Sequence, residues 1–225
     1  MDGVRRYLAL LALVLVSTAC ASFPDGAYFP GGGPETAAIS HALYRAARAA
    51  GDDPGRYSFA LVRTRAVSAH AADDATFYFS EGLTRQPASH LEALVAHEVA
   101  HEVLGHAGQR RAVSLSLSAG FTVLGLVVPG LSLLDFVVNP LVVRAFTRDQ
   151  EIAADLKAVE ILRSMGHESP RRTLADALRA AAAANGPSRS GLLATEPDLA
   201  DRLTALEPLE PALRLTAESA APASR

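Results

Sequence analysis

The feature that most constrains this chain is the pentapeptide His97-Glu98-Val99-Ala100-His101, which lies within a mostly apolar stretch. Residues four apart on an α-helix lie about 40° apart around the axis and one turn along it, so both histidine rings can reach one metal ion. Glu98 lies beside them, where it can accept a proton from water. Because its neighbours are mostly apolar, we expect this helix to be buried.

Two interpretations of the pentapeptide compete. A core helix can carry two hydrogen-bonded histidines and a glutamate without any ligand, and seven histidines occur in the chain. However, burying two imidazoles and a carboxylate requires several hydrogen-bond partners or a metal. Histidine and carboxylate side chains are typical zinc ligands. The pentapeptide therefore favours a zinc site, with one Zn²⁺ per chain.

A zinc site with two histidines needs a further ligand, commonly a carboxylate on a following helix. The segment Glu151-Ile-Ala-Ala-Asp155 places two carboxylates one turn apart on one helix face, among apolar residues. Acidic residues in a first helical turn also occur simply because the helix dipole favours them. We expect Glu151 to be the third ligand and Asp155 to orient one of the zinc histidines.

Capping signals predict where these two helices begin and end. Ser89 and Glu92 match a capping box at the start of the pentapeptide helix, and Gly108 provides a stop. The second helix starts at the capping box Thr147–Gln150 and runs to Met165. Both site helices are therefore predicted with defined starts.

Two further histidines near the pentapeptide do not match ligand positions. His106 lies five residues beyond His101, about 140° around a continuous helix, so it should face elsewhere. We expect His106 to be structural or solvent-facing and not a zinc ligand. His70 precedes a predicted turn, and a surface position is expected for it.

The remaining patterns predict an α+β fold that is mostly helical. Apolar spacing predicts a helix over residues 35–50, and a proline start predicts another over 170–184. The runs 57–62 and 76–79 have strand composition, and we expect them to belong to a small antiparallel sheet beside the pentapeptide helix. An edge strand of such a sheet could bind an extended substrate by backbone pairing.

The N-terminal 20 residues carry targeting signals. Arg5 and Arg6 precede the uncharged run Leu8–Val16, which is short for a membrane span. Cys20 follows small residues and is the only cysteine in the chain, so no internal disulfide can form. The segment resembles a bacterial lipoprotein signal in which Cys20 is lipidated, although Ser17 replaces the usual large aliphatic residue. An ordinary cleaved signal and an uncleaved anchor are the alternatives.

A long apolar segment separates the two site helices. Residues 112–143 contain a single charge, Asp135, and Pro129-Gly130 divides them. Each half is at or below the lower limit for a helix that spans a bilayer. We expect an apolar hairpin over residues 112–146, which could be buried, dip into the membrane or cross it.

Taken together, the motifs resemble those of the HtpX-like zinc metallopeptidases, peptidase family M48. The resemblance covers residues 57–206. It is carried by His97-Glu-Val-Ala-His101, Glu151-Ile-Ala-Ala-Asp155, Met165-Gly-His167, Thr195-Glu-Pro-Asp-Leu-Ala-Asp-Arg202 and the strand and turn Tyr78–Leu83. The first two motifs are the specific ones.

The resemblance implies a gluzincin-like metallopeptidase domain in which His97, His101 and Glu151 hold zinc and Glu98 acts as general base. It also implies membrane-associated endopeptidases, often in protein quality control. Two positions depart from the family pattern. Glu196 stands where the family has a histidine near the active site, and Asp73-Asp74 replaces a Gly-Gly pair. Arg202 matches a family arginine and is a candidate helper residue.

The predicted organisation is a signal peptide at residues 1–20, a flexible tether at 21–34, a metallopeptidase domain at 35–208 and a loose tail at 209–225. Ala21 after the lipidated cysteine resembles lipoproteins sorted to the outer membrane. We therefore expect a lipoprotein of the bacterial cell envelope that faces the periplasm and contacts the membrane through Cys20 and, as a further contact, the hairpin. The net charge of −3 provides no basic footprint for nucleic acid.

The expected function is zinc-dependent hydrolysis of peptide bonds in misfolded or envelope proteins. The alternative is a non-proteolytic lipoprotein, a chaperone or assembly factor with a closed zinc site. Glu196 keeps this alternative open, because a fourth protein ligand would make the site structural, whereas a catalytic zinc site holds water.

Overall fold

The structure is a computed structural model that describes residues 27–28, 32–72, 75–127, 147–186 and 199–212. The helices in these ranges are α1 (Pro34–Ala50), α2 (Glu81–Thr84), α3 (Ala88–Val103), α4 (His106–Val127), α5 (Arg148–Ser164), α6 (Pro170–Asn185) and α7 (Leu199–Ala205). The strands are β1 (Ala27–Tyr28), β2 (Ser58–Val62), β3 (Ala69–Ala71) and β4 (Thr76–Ser80), and a 3₁₀ turn spans Pro54–Arg56. The expectation of a mostly helical α+β fold is confirmed.

The four strands form one mixed sheet in the order β1-β2-β4-β3. β2 and β4 pair in parallel, from Ser58 opposite Thr76 to Val62 opposite Ser80. A small sheet is present as expected, but the expectation that it is antiparallel throughout was wrong. β3 lies between them in sequence and forms an antiparallel hairpin with β4, so the chain reverses once more and β4 returns parallel to β2. β1 lies antiparallel to β2, within the segment predicted as a tether.

Helix α3 lies at the centre of the core. It packs against α1, α5, α6 and strand β3. Its buried positions include apolar residues on every side of the axis, which is typical of a helix enclosed by other elements. Among the described residues, the largest buried apolar side chains of this core are Phe77, Phe79, Ile39, Leu83, Ile161, Leu162, Leu174, Leu206, Val159 and, on α3 itself, Val95 and Val99. The expectation of a buried pentapeptide helix is confirmed.

The capping predictions succeeded at one helix and failed at the other. Thr147 and Gln150 form the predicted capping box, with side-chain bonds of 3.3 and 3.0 Å to each other's backbone N–H. Helix α3 instead starts at Ala88 directly after Pro87, without a side-chain cap, so Ser89 lies inside its first turn. Glu92 is not part of a capping box because its carboxylate pairs with Arg45 and His167.

The end of α3 also differs from the prediction. The helix stops at Val103, five residues before Gly108, because Gly105 adopts a left-handed φ of 69° and breaks the helical path. Gly108 lies within α4. The break between α3 and α4 decides where His106 points.

The first half of the predicted apolar hairpin is helical and belongs to α4. Val113 and Leu115 are exposed there, at 49% and 62%. Residues 128–146 lie outside the described residues. Within the described part of the chain, no helix combines the length and the apolar content needed to cross a membrane.

The substitution Gly82→Ala is expected to destabilise the fold by about 1–3 kcal/mol, because the added methyl group would overpack this site and displace the neighbouring backbone. An added Cβ would lie 2.3 Å from the carbonyl oxygens of both Arg65 and Ala66. The matched control is Gly108→Ala, where a Cβ meets nothing within 4 Å. That change should stabilise α4 by about 0.5–1 kcal/mol through helix propensity. Urea unfolding of the two variants should show opposite shifts, and equal midpoints would contradict the close approach at Gly82.

Candidate metal centre

Three side chains from two helices converge in the core. His97 and His101 lie one turn apart on α3, and Glu151 reaches them from the first turn of α5. The two Nε2 atoms are 3.1 Å apart, and the Glu151 carboxylate oxygens lie 3.3 Å from Nε2 of His97 and 3.4 Å from Nε2 of His101. In the described part of the chain, these residues are the cluster whose ligand atoms all lie close enough together to hold a metal ion, within 4.8 Å.

The spacing of these atoms fits zinc. Ligands bound at about 2.0–2.1 Å in a tetrahedral arrangement lie about 3.3 Å from one another. The three observed separations fall close to that value. Two imidazoles and one carboxylate form a donor set that zinc enzymes use, with a further position open to water. The residues present therefore fit a zinc ion.

The charges at this cluster suit a cation. Burial alone would raise the pKa of Glu151, but the hydrogen bonds from His101 and His97 hold it well below its usual range. Burial lowers the pKa of His101 to about 4, which leaves its imidazole neutral. Burial and Arg202 oppose a charge on His97, yet its bonds to Asp155 and Glu151 raise its pKa to about 9. A metal ion would therefore replace a proton on His97, because metal ligands must be deprotonated.

Asp155 and Arg202 form a second layer behind His97. Asp155 is fully buried, and its Oδ1 accepts a hydrogen bond from Nδ1 of His97 at 3.0 Å. Arg202, on α7, donates to both Asp155 oxygens at 2.6 and 2.8 Å and lies 3.2 Å from Glu151 Oε2. Burial opposes the charge on Asp155, but the Arg202 bond holds its pKa below the usual range. The ring of His97 is thereby held with Nε2 toward the other two ligand atoms.

Glu98 is buried next to the cluster and is oriented by the sheet. Its Oε2 accepts the backbone N–H of Ala71, on edge strand β3, at 2.7 Å. Burial raises the pKa of Glu98, partly offset by the charge of His97. A buried carboxylate with a raised pKa is a stronger base than an exposed one. Glu98 is therefore suited to accept and return a proton beside the cluster.

His106 lies against the cluster instead of facing elsewhere. It is 6% exposed, and its Nδ1 lies 3.0 Å from Nδ1 of His101. The expectation of a different direction was wrong because it assumed one continuous helix. Gly105 breaks that helix, and His106 begins α4 with a new axis. His106 does not belong to the set of converging ligand atoms of His97, His101 and Glu151. Its burial excludes the solvent-facing alternative.

The remaining residues are those that the sequence analysis named and those that it missed. His70 is exposed on β3, as expected. Glu196 and Cys20 lie outside the described residues. Sequence patterns missed Ala71, whose role depends on a backbone N–H, and Arg110, which donates to the Ala71 carbonyl at 3.1 Å. The glycine at position 105 was the available signal that His106 could turn back toward the site.

The chain was compared with known proteins. Among curated protein sequences, no significant match was found. The sequence model described as Peptidase family M48 matches residues 34–210, a range that includes the seven described helices and the paired strands β2 to β4. This range includes every residue of the cluster and of its supporting layer. The chain therefore belongs to peptidase family M48, a family of zinc metallopeptidases.

Proposed function

We propose that this protein is a zinc-dependent endopeptidase in which His97, His101 and Glu151 are the metal ligands and Glu98 is the general base. One observation supports this assignment most directly. The three ligand atoms converge at zinc-like separations, and the buried Glu98 carboxylate lies next to them on the same helix. Burying a carboxylate and two imidazoles together costs free energy, and a core with a purely structural role would not need these groups.

The chain's own residues supply the proton transfers. Zinc, when bound, supplies a Lewis acid that lowers the pKa of water and polarises the carbonyl of the scissile peptide. Glu98 accepts the proton of the attacking water, and burial favours its protonated form until the proton passes to the leaving amine. Ala71 holds the Glu98 carboxylate in one orientation during both transfers. Peptide hydrolysis then needs no covalent link between the enzyme and its substrate.

Arg202 and Asp155 act in this proposal through the ligands. The guanidinium of Arg202 forms ion pairs with Asp155 and Glu151, and it thereby holds the two carboxylates in place. This geometry supports a positioning role for Arg202 in place of a direct contact with the reacting carbonyl. Helix α7 thus joins the site helices α3 and α5 at their ligand-bearing faces.

Strand β3 is the edge of the sheet beside Glu98 and is a candidate platform for an extended substrate. Ala72 and Ser68 bond to β4, so the backbone groups of Ala69 and Ala71 point to the open edge. The N–H of Ala71 donates a hydrogen bond to Glu98, and the carbonyl of Ala71 accepts one from Arg110. We infer that a substrate strand pairs with Ala69, which places the peptide next to the base.

The experiment that tests the function uses the purified full chain in detergent. We expect about one zinc per chain and cleavage of casein, with cleavage lost after treatment with 1,10-phenanthroline and regained when zinc is added. A chain without zinc would overturn the proposal. One zinc per chain with no cleavage of casein or of unfolded envelope proteins would instead favour the non-proteolytic chaperone or assembly factor.

We also propose that the protein is an outer-membrane lipoprotein of the bacterial envelope, anchored at Cys20. The support is the basic start, the apolar run and the single cysteine after small residues. Cys20→Ser is expected to abolish incorporation of radiolabelled palmitate in bacterial cells and to move the protein out of the outer-membrane fraction. Labelling that persists in this variant would contradict the anchor. The control variant Ser22→Ala, which leaves Cys20 in place, should label like the wild type.

A further inference from the structure

The first turn of α4 contacts the metal centre from the far edge of the His101 ring. Nε2 of His101 faces His97 and Glu151, whereas Nδ1 faces Nδ1 of His106 at 3.0 Å. Both imidazoles are nearly inaccessible to solvent, at 1% and 6%. His106 therefore lies behind His101, in the same relation that Asp155 has to His97 on the other side of the cluster.

The chemistry of two facing ring nitrogens restricts which one carries the proton. A histidine that binds a metal through Nε2 has its lone pair there, so its neutral ring carries the proton on Nδ1. That N–H points at Nδ1 of His106, which must then be the acceptor. His106 in this state carries its own proton on Nε2. The contact is a hydrogen bond that stabilises the metal-binding tautomer of His101 and its ring orientation.

The position of His106 is itself held by contacts that residues at the start of α4 make with other elements. Arg110, one turn further along α4, donates to the Ala71 carbonyl at 3.1 Å. Gln109 accepts a hydrogen bond from the side chain of Gln150, in the capping box of α5, at 3.1 Å. These contacts tie the start of α4 to β3 and to the helix that carries Glu151. His106 is therefore presented to His101 by a turn fixed at two other points.

We propose that His106 is a positioning residue that accepts the Nδ1–H of His101 and thereby raises the affinity of the site for zinc. This inference rests on the proposed metal site. Partners that orient a metal-bound histidine usually change metal affinity by about 10–100-fold when they are removed. His97 and His101 would each have such a partner, a carboxylate for one ring and a neutral imidazole for the other.

The test measures zinc affinity of the metal-free full chain in detergent, by competition with a chromogenic chelator. Three variants distinguish the loss of the hydrogen-bond acceptor from the loss of the buried side-chain volume. His106→Leu removes the acceptor, His106→Asn keeps an oxygen at the Nδ1 position, and His106→Gln moves the oxygen one bond further out. The control His167→Leu removes a part-buried histidine that bonds to Glu92 at 2.8 Å, away from the cluster.

We expect His106→Leu and His106→Gln to weaken zinc binding at least about tenfold, while His106→Asn stays within about threefold of the wild type. His167→Leu should bind zinc like the wild type. If the leucine variant does not fold, as judged by circular dichroism, the comparison of asparagine with glutamine decides the outcome. Equal affinities for asparagine and glutamine variants, or a leucine variant with wild-type affinity, would overturn the inference.

The measurement also distinguishes this inference from the proposed function. A wild-type chain that binds zinc without cleaving peptides would count against the peptidase and leave the effect of His106 on affinity measurable. A wild-type chain that binds no zinc would overturn both.

Discussion

Glu98→Gln is expected to reduce peptide hydrolysis by at least about a hundredfold while the zinc content stays at the wild-type level, since general bases typically contribute 10²–10⁴-fold. Glutamine has nearly the same shape, and its carbonyl oxygen can still accept the Ala71 N–H that holds Glu98. The variant cannot take a proton from water. The loss should therefore appear in kcat, with metal content and thermal stability unchanged.

The matched control for this variant is Glu102→Gln. Glu102 lies on the same helix, one turn beyond Glu98, and its carboxylate is 3.8 Å from Arg56 outside the cluster. Zinc content by atomic absorption and cleavage of a fluorogenic peptide should match the wild type in the control. Cleavage by the Glu98→Gln protein at more than about a tenth of the wild-type rate would remove Glu98 from the role of general base.

Glu151→Gln is expected to weaken zinc binding by more than about a hundredfold, because it removes a charged ligand, and even partners behind a ligand change affinity by 10–100-fold. The carboxylate of Glu151 faces both ring nitrogens and the Arg202 guanidinium. A neutral amide would leave that guanidinium without one of its counter-charges beside the metal. Peptidase activity should fall with zinc content and return in part at high zinc concentration.

Thermal unfolding gives a readout that is independent of activity. Zinc that binds only the folded chain should raise the Tm of the wild type, and this gain should be absent for Glu151→Gln at the same zinc concentration. Glu160→Gln, an exposed position on the same helix that pairs with Lys157 at 2.9 Å, is the control and should keep the gain. A Glu151→Gln protein that still retains one zinc after dialysis against a chelator would contradict the assignment of this ligand.

The sequence by itself determined the elements that depend on short spacings. The one-turn separation of His97 and His101 needs only a helix, and so does that of Glu151 and Asp155. The capping box at Thr147 also acts between neighbours, and the structure contains it as predicted. Such patterns are visible in a single chain because the interacting groups lie within four residues of one another.

Contacts between residues that are distant in sequence followed no such short-range spacing. That Glu151 lies within 3.3–3.4 Å of two histidines some 50 positions earlier results from the packing of α5 on α3. The hydrogen bond that orients Glu98 comes from a backbone N–H at Ala71, which any residue except proline would supply. The parallel pairing of β2 with β4 likewise arose from the insertion of β3 between them.

His106 illustrates the difference between what sequence spacing predicts and what tertiary structure decides. Its spacing from His101 predicted divergence on a continuous helix, and one left-handed residue, Gly105, reversed that outcome. The sequence determined which donor atoms were available and which of them lay on a common helix face. Only the tertiary structure decided which faces met, because the direction of each helix is set by packing and by single backbone angles between elements.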